Sequence, residues 1–428
     1  MTSRPCLLLL CLLPLLLPLN GCSSVARGVT DSLLTRVAEE PDPGLCEIQG
    51  SAFPGLRQAL LETGNGPGEL KVLMVHGIGE HIPGYSGRFR DNLIHDLDLP
   101  ATAPMVKEIR LAVPERLPEA MRDDPRGLLR ISRHRSRDGS RELLFYELTW
   151  SAIADAERRA IAFDKAWEQS YKRATVNRAM KDFFNDAFPD PMIYLGNSRP
   201  KILSTVSQSL CWMFAGDWEN LPESYDGLCD AAPTTSARQV AEDEYVFVSH
   251  SLGSRIVTDG LIEVASFSPT LATSREAPVL QALQEKSITL FMQANQLPLL
   301  QIGRESPPVT GQFPRYCRAD GDRYNERLFE KLRIVAFSDP NDILSYPIPP
   351  AYVENYMDSR LCPEVLNVAV NVAPVIDIAG IEFANPGRAH SDYENDPRLL
   401  GLITEGLGMG QGSAVVREQC RWIEVIED

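Results

Sequence analysis

The stretch that most constrains this chain is Glu244–Arg255, which reads EYVFVSHSLGSR. Tyr245 to Val248 is an apolar run bounded by polar residues, the pattern of a buried strand in a parallel sheet. The run breaks into Ser249-His250-Ser251-Leu252-Gly253, after which Ile256, Val257, Leu261, Ile262 and Ala265 recur at helical spacing. A strand, a tight turn with serine at its apex and a helix make the context of a nucleophile elbow. Strand and helix nearly touch there, so the residues two positions either side of the apex must be small. Here they are Ser249 and Gly253, where the usual pattern has glycine at both. The pentapeptide alone also fits an ordinary β-to-α turn with Ser251 as helix N-cap.

A second turn adds to this. Lys71 to Val75 is an apolar strand that runs into His76-Gly77-Ile78-Gly79-Glu80. Glycines let the chain approach a reacting centre without side chains in the way; a plain strand-to-loop turn has the same look. Past the elbow helix, Ile288–Met292, Leu332–Phe337 and Val365–Val372 read as strands, the last as the final one. Alternation of strands and helices argues for a mostly parallel α/β sheet flanked by helices. Leu128–Arg133 and Arg141–Leu148 flank Asp138-Gly139 as a hairpin. Its arginines (Arg126, Arg130, Arg133, Arg135, Arg137 and Arg141) suit either a solvated hairpin or attraction to anionic head groups.

With these motifs each placed after a strand, the chain resembles the α/β-hydrolase superfamily, of the serine esterase or lipase type. The resemblance runs from about Glu69 to the C-terminus, with residues 151–240 unmatched. It implies an eight-stranded, mostly parallel sheet and an oxyanion hole made by the backbone N–H groups of Ile78 and Leu252. The motif glycines are Gly77, Gly79 and Gly253. A serine hydroxyl needs a histidine to take its proton and a carboxylate to orient that histidine. In the order of this superfamily, acid and then histidine follow the serine. Of the six histidines only His390 follows Ser251, and it is expected in a polar loop after the final strand. The acid should lie just past Leu332–Phe337, where Asp339 and Asp342 compete. Asp339 before Pro340, with Asp342 three residues on, also looks like a helix N-cap. Asp342 precedes Ile343-Leu344-Ser345, similar to the acid-then-apolar pattern of many lipases and esterases, and is preferred; Asp339 is the alternative. Such a site needs no cofactor or metal.

The N-terminus reads as a targeting segment. Leu7 to Leu19 is an apolar run broken by Pro14 and Pro18, too short for a comfortable membrane span. It ends in Leu19-Asn20-Gly21-Cys22, which resembles the lipobox of bacterial lipoproteins, although Asn20 departs from the small residue usual there. That resemblance implies a lipid-modified Cys22 and, with Ser23 next, the outer membrane; a plain secretory signal is the alternative. The expected organisation is a signal at 1–21, a lipidated N-terminus and tether at 22–60, and a first core half at 61–150. A helical insertion follows at 151–240 and a second core half at 241–428. The insertion is read as a cap over the site, with core helices packed on the sheet as the other reading. Six cysteines remain after the signal and Cys22. In an oxidising compartment they suggest disulfides, with Cys211–Cys229 the most local, against buried free thiols.

A net charge of −16 argues against nucleic-acid binding. The expectation is a lipid-anchored envelope enzyme that cleaves carboxylic, lipid or acyl, esters. The alternative is a catalytically inactive lipoprotein that keeps the fold for binding or as a scaffold.

Overall fold

The computed structural model describes residues 44–423 apart from 65, 101–103, 124, 162, 165–170, 175–176, 179–180, 183, 186–187, 230–235, 275–276, 379–380 and 409–411. The signal segment and Cys22 lie outside the described residues, as do Trp167, Met180 and Phe183 of the expected helical insertion.

Among the described residues, eleven strands form one sheet. In chain order they are β1 (Cys46–Gln49), β2 (Leu70–Val75), β3 (Met105–Leu111), β4 (Leu128–Arg135), β5 (Glu142–Thr149), β6 (Ser224–Gly227), β7 (Glu244–His250), β8 (Ser287–Gln293), β9 (Lys331–Ser338), β10 (Pro363–Val370) and β11 (Arg421–Ile423). Their order across the sheet is β11-β1-β10-β9-β8-β7-β2-β5-β4-β3-β6. Seven of the ten neighbouring pairs are parallel; β1·β10, β3·β4 and β4·β5 are antiparallel.

Successive side chains of a strand point to opposite faces, and here both faces are covered. Leu73 and Val75 of β2, Phe247 of β7 and Leu290 of β8 pack with Ile202, Val206 and Leu210 of the helix Arg199–Ala215 and with Ile256, Val257 and Leu261 of the helix Gly253–Ser266. Leu70, Val72 and Met74 face the other way, toward helices Leu56–Thr63, Gly87–Asp96 and Pro397–Glu405. Burial on both faces is why the central strands read as unbroken apolar runs. A Cβ on Gly260 would come 2.5 Å from Val206 Cγ1, so glycine there lets two core helices close on each other.

Several expected boundaries move. The helix Arg199–Ala215 is a core helix against the sheet, and Ser224–Gly227 is an edge strand beside β3; neither belongs to a cap over the site. The apolar face of that helix has the same spacing whichever surface it covers. Residues 46–60, expected in the tether, supply β1 and most of a helix packed in the core. The sheet has eleven strands rather than eight, and β10 is not last, because Arg421–Ile423 pairs with β1. Gly406-Leu407 pairs with Phe53-Pro54 in a separate short ladder. The hairpin arginines face carboxylates: Arg133 and Arg135 meet Glu142 at 2.6 and 2.8 Å, Arg126 meets Asp226 at 2.5 Å and Arg130 lies 3.8 Å from Glu108.

The six cysteines lie in three bonded pairs: Cys46–Cys420, Cys211–Cys229 and Cys317–Cys362. The first ties strand β1 to the chain just before β11 across a sequence separation of 374. Among the described residues no helix is long and apolar enough to cross a membrane.

Candidate active site

Strand β7 ends at His250, and the helix Gly253–Ser266 starts three residues later. Ser251 sits between them at φ +56°, a left-handed conformation that serine seldom adopts. The turn holds it there: Ser251 N–H donates to Gln293 O at 2.8 Å, and Ser254 N–H donates to Ser251 O at 3.0 Å. A Cβ on Gly253 would lie 2.4 Å from Val75 O, and one on Gly77 would lie 2.5 Å from Ser251 Cβ. Both glycines are thus steric necessities, and the two glycine-bearing turns touch. Ser249 takes the place of the usual first glycine inside the strand, where a side chain is tolerated; it pairs with Val75 and Met292.

His390 Nε2 lies 2.9 Å from Ser251 Oγ. Its Nδ1 lies 3.0 and 2.9 Å from the two carboxylate oxygens of Asp342. With the proton on Nδ1 shared with Asp342, Nε2 is left to accept from the serine hydroxyl. His390 belongs to a short helix, Pro386–Ser391, rather than to a loop; Asn385 caps it by accepting from Gly387 and Arg388 N–H. Ser251, Asp342 and His390 are 0, 5 and 7 % exposed, so the three groups are buried in this structure.

The two competing aspartates have separate surroundings. Asp342 also accepts from Leu344 N–H at 2.9 Å. Asp339 accepts from Val372 and Ala373 N–H at 2.8 and 3.2 Å and from Asn341 N–H at 2.7 Å, while its own N–H donates to the Tyr393 hydroxyl. It caps no helix, because residues 339–345 form turns; it ties the loop after β9 to the loop after β10. Burial pushes its carboxyl above the usual range.

Among the described residues, the Ile78 and Leu252 N–H groups have no protein acceptor. Gly79 has φ +97°, and its N–H donates to Asp190 Oδ2 at 2.6 Å. Asp190 lies on the helix Pro189–Leu195, is fully buried and meets Arg158 at 3.1 Å. Desolvation raises its pKa, against the pull of Arg158 and the Gly79 N–H. His76 is also fully buried. It accepts at Nε2 from Trp150 N–H at 3.2 Å and stacks between His81 and Trp150, so it buttresses the turn. Burial carries its pKa well below 6.5.

Two residues of this arrangement are not read from the sequence as part of the site. His250 donates from Nε2 to the His390 carbonyl at 2.8 Å, and burial drops its pKa to about 3, so it is a neutral clamp on the helix carrying His390. Asp190 reaches its turn from 111 residues away. Adjacency of His250 to Ser251 was the only available pointer to the first. Among the described residues no three His, Cys, Asp or Glu side chains converge as a metal site. No family model, curated protein or solved structure matches the chain.

Proposed function

We propose that this chain is a serine hydrolase of α/β-hydrolase type that cleaves carboxylic esters, lipid or acyl esters above all, through an acyl-enzyme. The observation that carries the reading is the hydrogen-bonded line from Ser251 Oγ through His390 to Asp342, with 2.9 Å at each link. In this reading Ser251 attacks the ester carbonyl while His390 takes the hydroxyl proton. Asp342 holds the imidazolium that forms. The Ile78 and Leu252 N–H groups receive the negative charge that develops on the carbonyl oxygen. His390 then protonates the departing alcohol, and a water activated by the same histidine releases the acyl group. Attachment through a lipidated Cys22, at the outer membrane of a bacterial envelope, completes the proposal. The segment from 151 to 198, which brings Asp190 to the Gly79 turn, is where we place the choice of substrate.

A fluorophosphonate probe and p-nitrophenyl esters of increasing acyl length test this. Labelling and hydrolysis should both vanish in Ser251→Ala. Folded wild-type protein that takes no label would favour the second reading, a scaffold that keeps the fold without turnover. That reading draws support from the full burial of Ser251.

A further inference from the structure

We propose that the mouth of the candidate site faces the bilayer to which the N-terminus is anchored, with a rim of exposed apolar side chains resting on the lipid surface. The inference rests on the reading of Cys22 as a lipid anchor and, for its second readout, on ester hydrolysis.

The first observation is where the chain enters the fold. Strand β1 runs antiparallel to β10, with Cys46 opposite Val370 and Gln49 opposite Asn367. Its first residue therefore lies at the end of the sheet where β10 finishes, and Leu45 O accepts from Asn371 N–H just beyond. That is the end where β7 leads to Ser251, β9 to Asp342 and β10 to His390. From β1 to β7 is four strand spacings, roughly 19 Å at the usual ~4.8 Å each. Tether and site thus open at one end of the molecule. The 21 residues from Ser23 to Pro43 could span about 70 Å when extended, so a tether of that length alone fixes no orientation.

The second observation supplies the orientation. Large apolar side chains stand out on the loops of this same end. Ile82 follows β2 and is 71 % exposed, and Ile302 follows β8 and is 76 % exposed. Ile343 and Tyr346 follow β9, Phe383 lies on the hairpin after β10, and Met192 lies on the helix that carries Asp190; all are exposed. Four separate loops and a helix present apolar groups at this end of the sheet. Single exposed hydrophobics need no explanation, but several gathered at the end of the sheet that carries a buried serine do. A bilayer that the chain is already tied to at this end would cover them. With a net charge of −16, attraction to anionic lipid is disfavoured, so the contact is apolar insertion and a zwitterionic surface serves.

The test uses the full-length, lipidated protein in phosphatidylcholine vesicles. Amide hydrogen exchange should slow at 80–84, 300–304 and 342–346 relative to protein in detergent-free buffer without vesicles, and stay unchanged at 105–110. In Ile82→Asp/Ile302→Asp that slowing should disappear while the chain stays attached. The same variant should hydrolyse a vesicle-embedded long-chain ester about tenfold more slowly and a soluble short-chain ester within about twofold of wild type. Met105→Asp, an exposed apolar residue at the opposite end, should change neither. Slowing at 105–110 instead of the rim, or an unaltered rate on the embedded ester, would overturn the orientation. If wild type cleaves neither ester, the hydrolase reading fails and the exchange pattern alone decides the orientation.

Discussion

Asp339 and Asp342 are three residues apart, similarly buried and identical in chemistry, so only their partners separate them. Asp342 faces the His390 ring, whereas Asp339 spends both oxygens on backbone N–H groups. Asp342→Asn should therefore lower kcat for a soluble ester by roughly 10^4-fold, the scale for losing the carboxylate that orients a catalytic histidine. Asp339→Asn should act on stability instead, lowering the urea midpoint and leaving kcat of the folded fraction near wild type; the reverse ranking would move the assignment. Asp190 makes a third case, because it would act through Gly79 rather than on substrate. Asp190→Ala should cut kcat about tenfold to a hundredfold with KM little changed, a lesser effect than losing an oxyanion donor outright. Asp190→Asn keeps an acceptor for the Gly79 N–H and should recover most of kcat, while both variants lose stability because Arg158 loses one of its two carboxylate partners and keeps only Asp155. A purely structural Asp190 would show the stability loss without the difference in kcat. His390 could be picked out from order along the chain, since the order of roles that the resemblance implies leaves one histidine after Ser251, whereas order alone leaves Asp339 and Asp342 both open. Asp190 could not, because nothing near residue 190 marks a contact made only when two distant segments fold together.

At the scale of elements, the elbow works because a strand end and a helix start share almost no space. Gly253→Ala would put a methyl 2.4 Å from Val75 O and 2.9 Å from His76 O, both backbone atoms that cannot swing aside. The variant should lose on the order of 1–3 kcal/mol, the range for overpacking, read from urea unfolding, and its hydrolysis should fall further than its stability because Ser251 is displaced. Wild-type-like stability and turnover would mean that the turn is looser than its contacts imply. The interior strands were legible because apolar faces on both sides leave a continuous run in the sequence. The edges were not. β1 and β11 have four and three residues, too few for a period, and they meet each other from opposite ends of the chain. Cys46 and Cys420 lie next to this junction, yet the pairing of six cysteines cannot be deduced from spacing. The helix Arg199–Ala215 shows another limit: an amphipathic stripe reports that one face is covered but not by what.

For the molecule as a whole, buried histidines and a buried glutamate set how stability answers to acid, with opposite signs. Burial lowers His134 to about 4 and His250 to about 3, and takes His76 well below 6.5. Such a histidine binds its proton more readily when unfolded. Its contribution is complete above about 6.5 and drains away as pH falls toward the folded value. For His134 the loss by pH 4 is on the order of 3 kcal/mol. Glu69 runs the other way. It is buried at the start of the sheet, 3.6 Å from Lys71, which lies closer to Asp243 at 2.6 Å; burial prevails and pushes Glu69 up to about 7. The fold therefore favours its protonated form. That contribution is complete below about 4.5 and is lost as pH rises through 7. Between those limits, acidification weakens the histidine sites while it relieves Glu69. Urea midpoints measured from pH 8 to 4 should consequently fall more steeply in Glu69→Gln than in wild type, since the relief is gone. In His134→Gln they should fall less steeply below pH 6.5, since one loss is gone. Parallel curves for wild type and both variants would show that neither group changes protonation on folding, and the acid sensitivity would then belong to the remaining histidines and carboxylates.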